Sequence, residues 1–143
     1  MSNVLRISEA ASLALHAMAY LAGREGETVA VREIAGTIQA SEAHLSKVLQ
    51  KLAREGLTKP VRGPTGGFRL ARPPQEIALL QIYEAIEGKF ECVACLLHDR
   101  VCSGTHCVFG ELVGSINARV YSHLRKTRLS DLAKPRKEKR TKA

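Results

Sequence analysis

No run in this 143-residue chain stays apolar for the roughly 20 residues that a membrane-spanning helix needs. The nearest approach, Ala10 to Ala22, imitates a secretory signal through Ala17 and Ala19. Glu9 and His16 interrupt it, however, and only Arg6 supplies positive charge upstream. Without a membrane span or a secretory leader, the expected compartment is the cytoplasm, where thiols stay reduced and clustered cysteines serve metals or redox chemistry in preference to structural disulfides. No repeat of solenoid period is present. There is no G-x-G-x-x-G, no G-x-x-x-x-G-K-[ST], no H-E-x-x-H and no nucleophile elbow, so no catalytic constellation competes and neither an enzyme nor a small-molecule substrate is expected. Gly63, Gly66 and Gly67 read as turn residues and not as a phosphate cradle.

Acidic residues are also scarce: 14 against 22 Lys and Arg, for a formal charge of +8. The excess is localised. Six Lys and Arg face only Glu138 between Lys134 and Ala143, and seven face Glu42 and Glu55 between Ser41 and Arg72, leaving the remaining chain slightly acidic. A basic terminal tail is common in disordered segments, so the internal block is the more informative one, and it points to nucleic acid.

The internal block coincides with a recognisable layout. Ser8 is placed as an N-cap, with Leu13, Ala14, Ala17, Met18 and Leu21 at helical spacing until Gly23 and Gly26. Val29, Val31, Ile34, Ala35 and Ile38 form a second stripe, with a helix expected over 31–38. Ser41 caps a third helix with His44 at the capping-box position, Leu45, Val48, Leu49 and Leu52 as its apolar face and Gly56 as its terminator. Two short helices joined tightly, the second bearing Lys47, Lys51 and Arg54 outward, match a helix-turn-helix. Leu57–Arg62, the Gly63–Gly67 cluster and Phe68–Ala71 read as strand, turn and strand, a basic two-stranded wing. The fold class is therefore mainly α with a small β wing: a winged helix-turn-helix followed by a long helix.

A fourth helix is expected from Ile77 to Ile86, ending at Gly88. Phe109, Leu112, Val113, Ile116, Val120 and Leu124 then recur at three and four residues over a run of roughly 20 residues, about 30 Å of helix. Such a stripe overreaches a small domain. The same helix of a second subunit would cover it under two-fold symmetry, giving a homodimer; packing on its own domain is the other reading. The expected organisation is a winged helix-turn-helix over 1–88, a cysteine-rich loop over 89–107, a dimerisation helix and the end of the fold over 108–133, and a disordered basic tail over 134–143.

All four cysteines fall in that loop, as Cys92-x2-Cys95-x6-Cys102-x4-Cys107. Thiolates converging from short spacers such as Ser103-Gly104-Thr105 suit structural zinc or an iron-sulfur cluster about equally, and a thiol-disulfide switch is a third option. His98 and His106 lie in the same loop, either able to replace a thiolate.

These residues together resemble the IscR/NsrR/RirA type of bacterial winged-helix regulators. The resemblance rests on Leu45–Leu52 before Gly56-Leu57, on the wing Arg62-Gly63-Pro64-Thr65-Gly66-Gly67-Phe68-Arg69-Leu70-Ala71-Arg72, and on Ile82–Gly88 leading into cysteines, and it covers about residues 5 to 133. It implies a dimer on a pseudo-palindromic double-stranded DNA operator, with a 2Fe-2S or 4Fe-4S cluster that reports iron status, nitric oxide or oxidants. Relatives commonly have three cysteines about five apart and a fourth ligand that is a histidine or carboxylate; here the gaps are two, six and four. Cys102 and Cys107 correspond to the last two, ligation by all four is the simplest solution, and Glu9 is a remote carboxylate candidate, because Ser12 stands about where that acid would be. By the same resemblance the third helix enters the major groove with Ser41, Glu42, His44 and Lys47 at base edges and phosphates. Arg62, Thr65, Gly66 and Gly67 bring the wing to the adjacent minor groove, and Lys51, Lys59 and Arg69 neutralise phosphates.

Overall fold

The computed structural model describes residues 7–97 and 107–133. Helix α1 (Glu9–Gly23) starts where its cap was expected, with the Ala11 N–H donating to Ser8 Oγ at 3.0 Å. Its buried face is Ala11, Ala14, Ala17, Met18, Leu21 and Ala22. Because most of that face is alanine, neighbours can approach the α1 backbone closely, and α2 (Val31–Ile38), α3 (Glu42–Arg54) and α4 (Leu79–Glu87) all pack on it. Beside Met18 and Leu21 of α1 itself, these neighbours supply large core side chains: Ile34, Leu45, Leu49, Leu52 and Ile82 are fully buried, each contributing about 1.5–3 kcal/mol.

The bounds expected for α2 hold. Its terminator is not a glycine: Gln39 takes the left-handed conformation at φ +55°, and the Ala40 N–H returns to the Ala35 carbonyl at 2.9 Å. Two residues later Ser41 Oγ accepts from the His44 backbone N–H at 3.4 Å and α3 begins. At the far end Gly56, at φ +75°, closes a full Schellman motif, with Gly56 N–H to Ala53 O and Leu57 N–H to Leu52 O, both 3.0 Å.

The chain then enters the wing, an antiparallel pair of β1 (Thr58–Val61) and β2 (Gly67–Leu70) in which Lys59 faces Arg69 and Pro60 faces Phe68. Thr58 is fully buried, and its hydroxyl donates to the Leu49 carbonyl at 2.9 Å, tying the first wing strand to the middle of α3. Val29, which shares a hydrophobic stripe with α2 in the sequence, stands before that helix. It exchanges both backbone hydrogen bonds with Phe68 at 2.9 Å. This bridge explains Gly67: a Cβ there would lie 2.0 Å from the Val29 carbonyl oxygen.

Helix α4 starts two residues later than its hydrophobic period suggests. Ile77 and Ala78 are held extended by the returning C-terminal chain, through Leu79 N–H to Thr127 O at 3.0 Å and Leu129 N–H to Ile77 O at 2.8 Å. The long helix is shorter than expected. Gly110, at φ +55°, turns the chain after Phe109, and α5 spans Leu112–Lys126, 15 residues or about 22 Å. Leu124 near its end is buried in this chain's own core, and the short α6 (Leu129–Ala133) inserts Leu129 beside α1. Near its start the apolar side chains are open to solvent, Phe109 at 48% and Leu112 at 52% exposure. Among the described residues no helix is long and apolar enough to cross a membrane. The expected tail, 134–143, lies outside the described residues.

Two substitutions test this account. Gln39→Gly removes a left-handed penalty and should raise stability by about 0.5–1 kcal/mol in urea titration. Gly67→Ala forces the wing off Val29 and should cost about 1–3 kcal/mol, with loss of the wing's amide protection in hydrogen exchange.

Candidate nucleic-acid interface and cysteine segment

Burial sorts α3 into two faces. Leu45, Val48, Leu49 and Leu52 point into the core, which leaves Ser41, Glu42 and Lys47 exposed and His44 half-buried around the N-terminal turns. The Schellman turn and the Thr58–Leu49 bond then fix the wing relative to this helix. Lys59, Arg62 and Thr65 are exposed on it, and Arg69 is half-buried directly across the ladder from Lys59. Like charges directly opposite one another in an antiparallel pair repel. Among the described residues the ion pairs belong to Arg24, so Lys47, Lys59, Arg62 and Arg69 form none. A surface of unneutralised cations on two joined elements is suited to a polyanion.

Three of the expected contact residues have internal work. Gly67 allows the approach of Val29, and a Cβ on Gly66 would stand 2.5 Å from the Val61 carbonyl oxygen, inside a turn closed by Gly66 N–H to Gly63 O at 2.9 Å. The shape of the wing thus accounts for both glycines. Lys51 was expected at a phosphate, whereas its ammonium donates to the Ile86 carbonyl at 2.7 Å, at the end of α4.

Sequence reasoning missed a polar clamp beside the helix-turn-helix. Arg24, just past α1, reaches Glu33 on α2 at 2.7 Å and Glu27 at 2.5 Å, and the Tyr20 hydroxyl donates to the same Glu33 oxygen at 2.9 Å. The bond from Arg24, then that from Tyr20, holds the Glu33 carboxyl below its usual pKa. Arg24 lies nine residues from Glu33, and no local pattern announces such a pairing.

The cysteine segment leaves α4 at Gly88 and is pinned at both sides. The Phe90 N–H donates to Glu84 Oε1 at 3.0 Å, and the Asn117 side-chain amide on α5 donates to the Val93 carbonyl at 2.7 Å. The Phe90 ring packs between Tyr83 and Tyr121 with 5.5 Å between centroids in each pair. Burial, with Glu87 nearby, raises the Tyr83 pKa. Cys92 is exposed and Cys95 half-buried at the edge of an open groove shared with Phe109, Leu112 and Ile116. The Leu97 N–H donates to Cys95 Sγ at 3.4 Å. Cys107 is exposed ahead of α5, two residues before Phe109 of that groove. Cys92, Cys95 and Cys107 are free thiols, a donor set that suits a soft metal or an iron-sulfur cluster. Cys102, His98 and His106 lie outside the described residues, and among the described residues no three His, Cys, Asp or Glu side chains converge on one point. Glu9 is exposed in the first turn of α1, while Ile7 lines the same groove as Cys95.

Residues 7–135 match the family model Rrf2, described as an iron-dependent transcriptional regulator. The chain is 36% identical over 121 residues to the HTH-type transcriptional regulator IscR of Cereibacter sphaeroides, covering 80% of this chain and 76% of the relative. Among solved structures it is similar to CymR, the global cysteine regulator of B. subtilis, with a TM-score of 0.77 and 30% identity over 91% of this chain and 97% of the other. It is also similar to T. potens IscR, with a TM-score of 0.70 and 26% identity over 90% and 86%. Winged helix, unneutralised basic face and family match agree, and this chain belongs to the Rrf2 family of transcriptional regulators.

Proposed function

We propose that this regulator binds a pseudo-palindromic double-stranded operator as a homodimer, and that an iron-sulfur cluster, 2Fe-2S or 4Fe-4S, on Cys92, Cys95, Cys102 and Cys107 sets its affinity. The observation that carries this reading is the course of the thiol-bearing segment, which leaves the end of α4, a helix packed on both α1 and α3, and is tied to α5 through Asn117. When bound, the cluster would supply a centre sensitive to iron supply, nitric oxide or oxidants. Everything else falls to the chain. Ser41, Glu42, His44 and Lys47 meet base edges and phosphates in the major groove, Glu42 accepting from a cytosine amino group. Arg62 and Thr65 at the wing tip approach the minor groove, and Lys59 and Arg69 relieve their mutual repulsion on phosphates. The exposed apolar start of α5, with Val108, Phe109 and Leu112, is the surface a second copy would cover.

Ordering of the segment around its ligand changes the regulator only if the two arrangements differ in operator affinity, a coupling of about 1–3 kcal/mol. A second reading is a thiol switch, favoured by the free thiols of Cys92 and Cys95 with only two residues between them and by the likeness to CymR. Structural zinc on the same cysteines is a third.

Protein isolated without air should be coloured and contain iron and sulfide, and Cys107→Ala should lose the colour. Colourless protein with stoichiometric zinc would favour the zinc site, and metal-free protein the thiol switch. At the interface, Arg62→Ala should weaken operator binding and lower the slope of log affinity against log salt by about 1, read by fluorescence anisotropy; an unchanged slope removes Arg62 from the contact.

A further inference from the structure

The bond from Lys51 to Ile86 joins two regions that the sequence gives no reason to connect. Lys51 belongs to the last turn of α3, one turn beyond Lys47. Ile86 belongs to the last turn of α4, where carbonyls have no partner further along the helix and the aligned peptide dipoles leave negative partial charge. An ammonium at 2.7 Å answers both conditions. Two residues on, Gly88 turns the chain out of α4 at φ +84°, and the segment with Cys92 and Cys95 begins. The same helix end is gripped from two other sides, by Ser8 Oγ donating to Glu87 and by Glu84 accepting from the Phe90 N–H. A shift of segment 89–97 therefore bears on the last turn of α4, and Lys51 is a polar tie from that turn to the helix expected in the major groove.

We propose that Lys51 is a positioning residue that couples the arrangement of segment 89–97 to the seating of α3 on DNA, and that it does so through the Ile86 carbonyl and not by touching phosphate. The inference rests on the reading that this segment carries the signal, but not on which group binds there.

The test uses full-length protein, stripped of metal and compared before and after alkylation of its cysteines with iodoacetamide, a perturbation of the segment that needs no cluster. In the unsubstituted chain, alkylation should change operator affinity by about fivefold or more and alter hydrogen exchange over Lys47–Arg54. In Lys51→Met, which keeps the stem and loses the donor, the same treatment should change affinity less than about twofold, with the salt slope as in the unsubstituted chain. Lys51→Arg, which retains a cationic donor, should restore the response. Lys51→Gln is the second variant if the methionine form melts too low to assay, with the same outcome expected. The proposal is overturned if the unsubstituted chain gives no response to alkylation, if Lys51→Met responds fully, or if its salt slope falls by about 1 as for a phosphate contact. Iron and sulfide content, measured separately, decides the cluster reading whichever way this experiment falls.

Discussion

The structure depends on the alanine face of α1. Helices α2, α3, α4 and α6 and strand β2 all rest on that one helix, which is possible because Ala11, Ala14, Ala17 and Ala22 leave its backbone approachable on several sides. A larger residue at any of them would push out a neighbour, since interiors at native density have no spare volume. Once α1 is fixed, the angle of α3 follows from Leu45, Leu49 and Leu52, and the wing follows from α3 through Thr58 and from the chain entering α2 through the Val29 bridge. The basic surface is thus presented by elements with little freedom relative to one another.

Outside this hub the molecule is differently made. Segment 89–97 and the approach to α5 are held by single polar ties and one aromatic sandwich, not by a deep core. Leu96, at 68% exposure, and Val108, at 95%, stand in water. Few buried contacts mean a low local cost of rearrangement. The response to a ligand proposed for this segment needs that property, and the elements that hold α3 in place cannot have it. The two requirements meet at the last turn of α4.

Much of the fold was legible because local chemistry and tertiary demand agree there. Ser8, Ser41 and Gly56 cap and terminate as their residue types dictate, and the bounds of α2 follow from its apolar period. Legibility failed where long-range pairing overrode the local signal. Ile77 and Ala78 carry a helical pattern but are drawn into extended pairing by Thr127 and Leu129, some 50 residues on. Val29 shares a stripe with α2 yet serves the wing. Gly110 interrupts a hydrophobic period that by itself reads as one long helix. At the site, the exposure of Lys47, Lys59 and Arg62 follows from their charge alone, since such groups need only a surface. The tie made by Lys51 and the clamp of Arg24 with Glu33 were invisible, because a hydrogen bond to a backbone carbonyl or across nine residues leaves no periodic trace.

The Lys59–Arg69 pair has a consequence for how the free protein responds to its solution. Mobile ions that shield two facing cations relax the wing when no DNA is present, and the same ions compete with the protein for the phosphates of the duplex. Rising ionic strength therefore steadies the unbound molecule while loosening its complex, so the most robust form of the wing and the most tightly engaged one belong to opposite ends of the salt scale.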